Sequence, residues 1–388
     1  MKRSVKKVLA AMASATFVLS LAACGGSAAP AAAPAAAPAA TTAAPAAAPA
    51  TEAPKAAETT AAAAAPAAET PAAETAAAAP AVNPVTWKFA TNTLEETNTA
   101  KVYLEMAEKV KEATNGEVTI EPYFGGALGS EADVIQNLQT GNIQMGHYSF
   151  AMLANFEPAW NVLDLPFIFD SREHFARYVA TDECQALMAK FQDVGIWFNT
   201  MGIQGYRQTN MTKGTLKSVE DYKGKTIRVM DNAVQMGTLE ALGSIPITVP
   251  YGDVYNALNM GVCDGWTAIY TGMNETSSCE VAPYVTEVPM FACVTGITVS
   301  TKALDALSAE GQAAFKEVYA EYMPKVLDSM FNEDMGYRKQ FEDAGLLKEV
   351  YTIEDTKPFI DAVAPVWESI AKDNEGVQEQ IDIINSVR

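Results

Sequence analysis

Two arginines have surroundings that suit them to chemistry. Arg228 stands in the middle of Thr226-Ile-Arg-Val-Met230, where strand alternation sends Ile227 and Val229 to one face and the guanidinium to the other. With apolar residues on both sides the segment reads as an interior strand, and an arginine enclosed there needs an anion. A planar guanidinium holds one carboxylate through two parallel hydrogen bonds and keeps its charge at any physiological pH. Hydrogen bonds to charged groups contribute roughly 1.5–3 kcal/mol each. Arg207 follows Gly205-Tyr206 at what reads as a strand end. Taken alone, either arginine fits a surface position satisfied by Asp or Glu equally well, since most arginines are exposed. Trp266 offers a ring that would serve as a cleft wall or as core filler. Tyr251, directly after Val249-Pro250, has the same two readings.

The other reactive side chains point away from catalysis. The two histidines, His147 and His174, lie in no acid–base or metal-ligand motif and read as structural. No Gly-x-Ser-x-Gly elbow precedes a helix, and nothing singles out a catalytic pair among 47 acidic residues. Gly125-Gly126-Ala-Leu-Gly129 lacks the Lys-Ser/Thr of a phosphate loop and the order of a dinucleotide fingerprint, so it reads as a turn. Cys184, Cys263, Cys279 and Cys293 form no Cys-x-x-Cys pair. Four cysteines allow three pairings, and free buried thiols fit equally well. The expectation is a protein without enzymatic activity, cofactor or metal.

The elements that must position the arginines follow an α/β rhythm. Val85 to Ala90 reads as a strand with Trp87 and Phe89 on one face. A helix follows with Val102, Met106 and Val110 at spacings of four, stopped by Asn115-Gly116. Val118 to Tyr123 is a second strand, and Ser130 with Asp133 opens a second helix as a capping box. The pattern returns as a short helix at Ser218–Tyr222, a strand at Lys225–Met230, and a helix at Gln235–Leu242. A strand at Ile245–Val249, a helix at Val254–Met260 and a strand from Cys263 to Thr267 complete it. Two such units predict two lobes with a cleft between them, beyond the carboxyl ends of the strands. A long amphipathic helix is expected from Ser308 to Ala344, kinked or broken at Pro324.

The N-terminus predicts export. Lys2, Arg3, Lys6 and Lys7 precede an apolar run from Val8 to Leu21, and Leu21-Ala22-Ala23-Cys24 closes it. This pattern reads as a secretory signal, too short for a membrane span of ~20 residues. Residues 25–83 are almost entirely Ala, Pro and Thr, a composition that buries no core and reads as an extended tether. Removal of the signal takes the formal charge from −20 to −24. Nucleic acid is thereby excluded as a partner, because phosphate binding needs a basic face. An anionic ligand is not, because local arginines outweigh a screened distant field.

From about Trp87 to Leu346 the chain resembles the solute-binding proteins of tripartite ATP-independent periplasmic (TRAP) transporters, the C4-dicarboxylate-binding (DctP) type. The collinear segments are Asn115-Gly-Glu-Val-Thr-Ile-Glu-Pro-Tyr with Gly126-Ala-Leu-Gly-Ser-Glu, Leu138-Gln-Thr-Gly-Asn-Ile, and Asp164-Leu-Pro-Phe-Ile-Phe. Gly205-Tyr-Arg, Lys223-Gly-Lys-Thr-Ile-Arg-Val, Val254-Tyr-Asn-Ala-Leu and Gly261-Val-Cys-Asp-Gly follow in order. The resemblance implies a two-lobe, Venus-flytrap α/β receptor with a long C-terminal helix crossing both lobes. It implies lobe I at 84–204 with about 294–333, and lobe II at 205–293 with about 334–388. A signal peptide at 1–23 and a lipidated Cys24 on a tether at 24–83 complete the expected organisation. The ligand would be a small organic acid (dicarboxylate, keto acid or sugar acid), and the partners an integral-membrane permease and the bilayer.

By the same resemblance Arg228 is the main carboxylate contact and Arg207 its helper. Asn92 and Glu131 line the cleft, and Tyr251 covers the ligand. Many relatives read Asp-Gly-Gln-Glu-Asn where this chain has Asp264-Gly-Trp-Thr-Ala268, so their carboxylate-holding Asn is absent and Trp266 stands nearby. Three residues past Arg228, where several relatives have Asn, the chain has Asp231 with Asn232 beside it; Asn232 is carried as a candidate. The alternative is a binding protein for an ATP-driven importer of a sugar or amino acid.

Overall fold

A computed structural model describes residues 83–388. The expected signal at 1–23, Cys24, and the tether at 24–83 apart from its last residue lie outside the described residues. The expected elements form with boundaries shifted by one or two residues. β1 (Val85–Thr91) turns Trp87 and Phe89 into the core. α1 (Asn98–Ala113) buries Tyr103, Met106, Ala107 and Val110, and Asn115 and Gly116 end it at positive φ. β2 (Val118–Tyr123) pairs with β1 in parallel. α2 (Glu131–Thr140) opens with the predicted reciprocal Ser130–Asp133 capping box.

β3 (Met145–Ser149) follows, then two short 3₁₀ turns at Phe150–Asn155 and Pro158–Asp164. α3 (Arg172–Val179) and α4 (Asp182–Ala189) are short. The two-residue β4 (Ile196–Trp197) and β5 (Gly202–Met211) lead into the second α/β run. That run is β6 (Thr226–Val229), α5 (Ala233–Ala241), β7 (Ile245–Thr248), α6 (Val254–Asn259), β8 (Gly265–Ala268) and α7 (Tyr270–Glu275). The expected helix at 218–222 is a single 3₁₀ turn, Val219–Tyr222. β9 (Tyr284–Ser300), α8 (Thr301–Asp305), α9 (Ala309–Asp343), β10 (Glu349–Thr352), α10 (Lys357–Asp373) and α11 (Val377–Ser386) complete the fold.

All described strands join one mixed sheet in the order β2-β1-β3-β9-β5-β8-β6-β7, with β4 and β10 also on β9. The two α/β runs form its wings. β9 and β5 form the centre: β9 pairs at its C-terminal end with β3 and β4 and at its N-terminal end with β10, while β5 runs antiparallel beside it and reaches β8. Two crossing strands, and not two separable sheets, therefore connect the wings.

α9 is a continuous helix of 35 residues with Pro324 inside it, so the expected break does not occur. Phe315, Val318, Tyr319, Met323, Val326 and Met330 pack with Trp87, Phe89 and Tyr103. Tyr337 and Phe341, near its end, pack with Leu258, Trp266 and Met273 of the other wing. The helix thus runs from one wing to the other. The last helix departs from the expected grouping of 334–388 with 205–293. α11 lies against α3, α4 and the 158–164 turn; Tyr178 donates to the Gln380 side chain at 2.6 Å and Arg177 to the Val387 carbonyl at 2.6 Å. The four cysteines of the domain are unbridged and buried. No described helix is long and apolar enough to cross a membrane.

Candidate functional site

β6 lies between β7 and β8, and its register sets Arg228 directly opposite Trp266. Ile227 and Val229 are sealed in the core. Arg228 therefore emerges on the opposite side, itself only 4 % exposed, with its guanidinium carbon 5.9 Å from the Trp266 ring centre. Nε and Nη2 donate to the Val249 carbonyl at 3.0 and 2.7 Å. Burial pulls its pKa down to about 10 and the neighbouring Arg207 adds to this, while Glu131 opposes it. The group remains a cation at neutral pH.

Arg207 stands on β5 between two register shifts against β9. Such bulges re-aim side chains beside functional sites. Its Nη2 donates to Ser149 Oγ at 3.0 Å and contacts the sulfurs of Met230 (3.0 Å) and Cys293 (3.4 Å). Its Nε, Trp266 Nε1 and His147 Nε2 are buried without a partner among the described residues. Buried polar atoms are rarely left so. All three residues line one cavity, which makes them natural contacts for a polar guest.

The cavity has a volume of about 50 Å³, and Arg228, Arg207, Asn92, Glu131, Trp266 and Tyr251 all line it. Asn232 does not. It caps α5 instead, accepting from Gln235 N at 3.0 Å, and its amide donates to the Ala151 carbonyl (3.1 Å) and Asp164 (3.3 Å). The physical reason is position: β6 ends at Val229, and the helix start claims the first Asx side chain able to cap it. Neighbouring Asp231 is exposed.

The structure adds wall residues that the sequence did not single out. Glu275, at the end of α7, accepts from the Tyr251 hydroxyl at 2.6 Å. Burial pushes its carboxyl up to about 7; the Tyr251 bond works against this and Glu131 adds to it. Glu131, the first residue of α2, accepts from Ser149 N at 3.1 Å. Its carboxyl is raised above the ordinary value by burial, with the Ser149 bond, Arg228 and Arg207 pulling it back. His147, read as structural, belongs to the wall as well; Nδ1 meets Thr91 Oγ1 at 3.1 Å, and burial lowers its pKa to about 4. Alternation in Met145–Ser149 could have marked it, since it puts His147 and Ser149 on one strand face. Glu275 carries no comparable signal, because its helix has only six residues. His174 is structural as expected, with Nε2 on the Ile384 carbonyl at 2.9 Å.

The wall thus carries a pair of cationic guanidiniums on one side, hydrogen-bond acceptors on another and a large aromatic surface. Nothing in it resembles a nucleophile held by a base. This is a binding arrangement built where β5, β6 and β8 meet α2 and α7.

Residues 89–374 match the DctP family, bacterial extracellular solute-binding protein family 7. The chain belongs to this family. It is 25 % identical over 295 residues to the C4-dicarboxylate-binding periplasmic protein DctP of Rhodobacter capsulatus, covering 74 % of this chain and 87 % of that protein. A TRAP periplasmic solute-binding protein from Roseobacter denitrificans, solved with bound β-D-glucuronate, superposes with a TM-score of 0.74 at 26 % identity, over 78 % of this chain and all of that one. One from Pseudomonas putida F1, with bound D-glucuronate, gives 0.71 at 27 % identity, over 77 % of this chain and 97 % of that one. The DctP resemblance and the two-lobe α/β architecture read from the sequence are therefore correct, and the family is one of extracytoplasmic solute-binding proteins, not of enzymes.

Proposed function

We propose that this DctP-family protein is a receptor for a small organic acid, which it holds by its carboxylate on Arg228 and Arg207 and hands to a TRAP-type permease in the membrane. The observation that carries this reading is the pair of buried cations on one cavity wall. Two buried guanidiniums in one wall demand an anion, and Arg207 keeps an unpartnered Nε there. The acids bound by the Roseobacter and Pseudomonas proteins support the same ligand chemistry. Asn92, Glu131, Trp266 and Tyr251 complete the contact set.

The signal-like segment and Leu21-Ala22-Ala23-Cys24 support export, with acylation of Cys24 as the anchor to the membrane's outer face. Residues 84–204 with about 294–333 form one lobe and 205–293 with about 334–376 the other, and their approach closes the site. The order of strands around β9 supports this division.

The test is titration calorimetry of the protein and its Arg228→Lys variant with a panel of monocarboxylates, dicarboxylates, keto acids and sugar acids. One class of acid should bind, and the variant, which keeps the charge and loses the fork, should bind it at least tenfold more weakly. Heats from neutral sugars or peptides with none from any acid would end this reading.

A further inference from the structure

The buried arginines of the wall are not paired with acids. Arg228 gives Nε and Nη2 to the Val249 carbonyl, and Arg207 gives Nη2 to Ser149. Among the described residues neither guanidinium lies in an ion pair, whereas Arg172, Arg338 and Arg388 each do. The same cavity is lined by two carboxyls, Glu131 of α2 and Glu275 of α7, and by His147 and Cys293. With both carboxyls ionised, the two positive and two negative charges of the wall already cancel. A ligand carboxylate then brings one negative charge with nothing to balance it into a closed site. Burying such a charge is strongly unfavourable, and ionisable groups respond by changing protonation.

The surroundings of each group decide which one takes the proton. Glu131 is helped to stay ionised: the Ser149 amide donates to it at 3.1 Å, and both arginines pull in the same direction. Glu275 has the Tyr251 hydroxyl at 2.6 Å, but the charges that press on it are of its own sign, Glu131 from α2 and Glu333 and Asp334 from α9. Tyr103 of α1 and Tyr337 of α9 also feel its charge, and burial keeps both phenols neutral. The protein alone places the Glu275 carboxyl at about 7, and a ligand anion in the same cavity raises it further. His147 would have to climb from about 4, and the Cys293 thiol, pushed up to about 11, already holds its proton. Once protonated, Glu275 keeps one oxygen for Tyr251 and gains an O–H to donate into the cavity it lines.

We propose that the receptor takes up its acid together with a proton, held on Glu275 at the end of α7: the two arginines bind the carboxylate, and Glu275 gives up its own charge so that the occupied cavity stays neutral. This rests on the organic-acid reading and adds a second bound species to it. Affinity is greatest below pH 7, where Glu275 already carries the proton, and falls as pH rises toward the higher value that the ligand imposes. The acid itself does not blur this, since carboxyls free in water titrate near pH 4.

Calorimetric titration of the whole protein with D-glucuronate, succinate and pyruvate, run at pH 7.5 in HEPES and in Tris, counts the protons, because the buffer that supplies them adds its own heat of ionisation. An acid that binds should bring in about half a proton or more, and its affinity should drop by about fivefold or more between pH 6 and pH 8.5. Glu275→Gln, an isostere of the protonated form, should bring the proton count close to zero and flatten the pH profile, whatever it does to affinity at pH 6. Binding without proton uptake in the parent protein overturns the proposal and leaves the acid receptor standing. Uptake that survives Glu275→Gln overturns the assignment to Glu275, and Asp334→Asn and His147→Asn then show where the proton sits. If none of the three acids binds at any pH, the organic-acid reading falls and the proton goes with it.

Discussion

At the scale of single residues, the site is set by what burial does to ionisable groups. The guanidinium of Arg228 loses some basicity on burial and stays charged. Carboxyls fare differently: Glu275 and Asp334 are both pushed up to about 7. Asp334 accepts from Thr271 N at 2.7 Å and Thr271 Oγ1 at 2.9 Å, so its proton balance is a question of stability as much as of binding. Its folded-state pKa lies above the unfolded value of 3.8. The native chain holds that proton more tightly, so the stabilisation is complete below about pH 4 and is lost as pH rises toward 7. Asp334→Asn keeps an acceptor for Thr271 and removes the titration. The variant should gain in melting temperature relative to the parent between pH 5 and pH 8; a constant difference across that range would mean Asp334 does not titrate there. Arg228 was legible because its strand alternates so cleanly. Glu275 was not, since a carboxylate at the end of one and a half turns of helix differs in no local feature from the surface acids around it.

At the scale of elements, helix starts have first claim on short polar side chains, and this separates ligand contacts from caps. Asn232 was a candidate through its distance from Arg228, yet α5 takes it. Asn232→Ala should therefore lose about 1 kcal/mol of stability, the usual worth of an N-cap, and leave affinity for the acid within about threefold. A tenfold loss of affinity at unchanged melting temperature would return it to the site. The same principle acts between elements. Glu333 and Asp334 are adjacent on α9, and Glu333 accepts from the Asn98 and Thr99 amides at the start of α1 (3.0 and 3.2 Å), while Asp334 serves the start of α7. Sequence periodicity gave the length of α9 but not its unbroken passage through Pro324: a proline's missing donor costs a bond but not a helix already held by packing on both sides. It could not reveal that two consecutive acids reach opposite wings, because long-range capping leaves no pattern in the chain.

At the scale of the molecule, the site lies where both wings contribute: Asn92, Glu131 and His147 from one, Arg228, Trp266 and Glu275 from the other. Binding energy available only when all of them touch the ligand favours the closed arrangement of the wings. Small-angle scattering should show a smaller radius of gyration at saturating acid than without it. Identical profiles would mean that the wings do not move and that the ligand enters by local rearrangement of the cavity wall. The fold class and the two-unit plan were readable from alternating strands and helices. The single sheet was not, nor was the seating of α11 on the first wing, because both depend on pairings between residues far apart in the chain.

β9 also sets the order in which the protein can be built. Met145–Ser149 pairs with Thr295–Val299, and Gly202–Met211 pairs with residues between Tyr284 and Thr295. A nascent chain of 280 residues therefore contains both wings' strands and lacks the one that joins them, so β3 and β5 each wait with an open edge. Contacts this distant in sequence slow folding. That lateness leaves the chain uncommitted to its native shape through most of its synthesis: the strand that joins the wings is the ninth of the ten described strands to leave the ribosome.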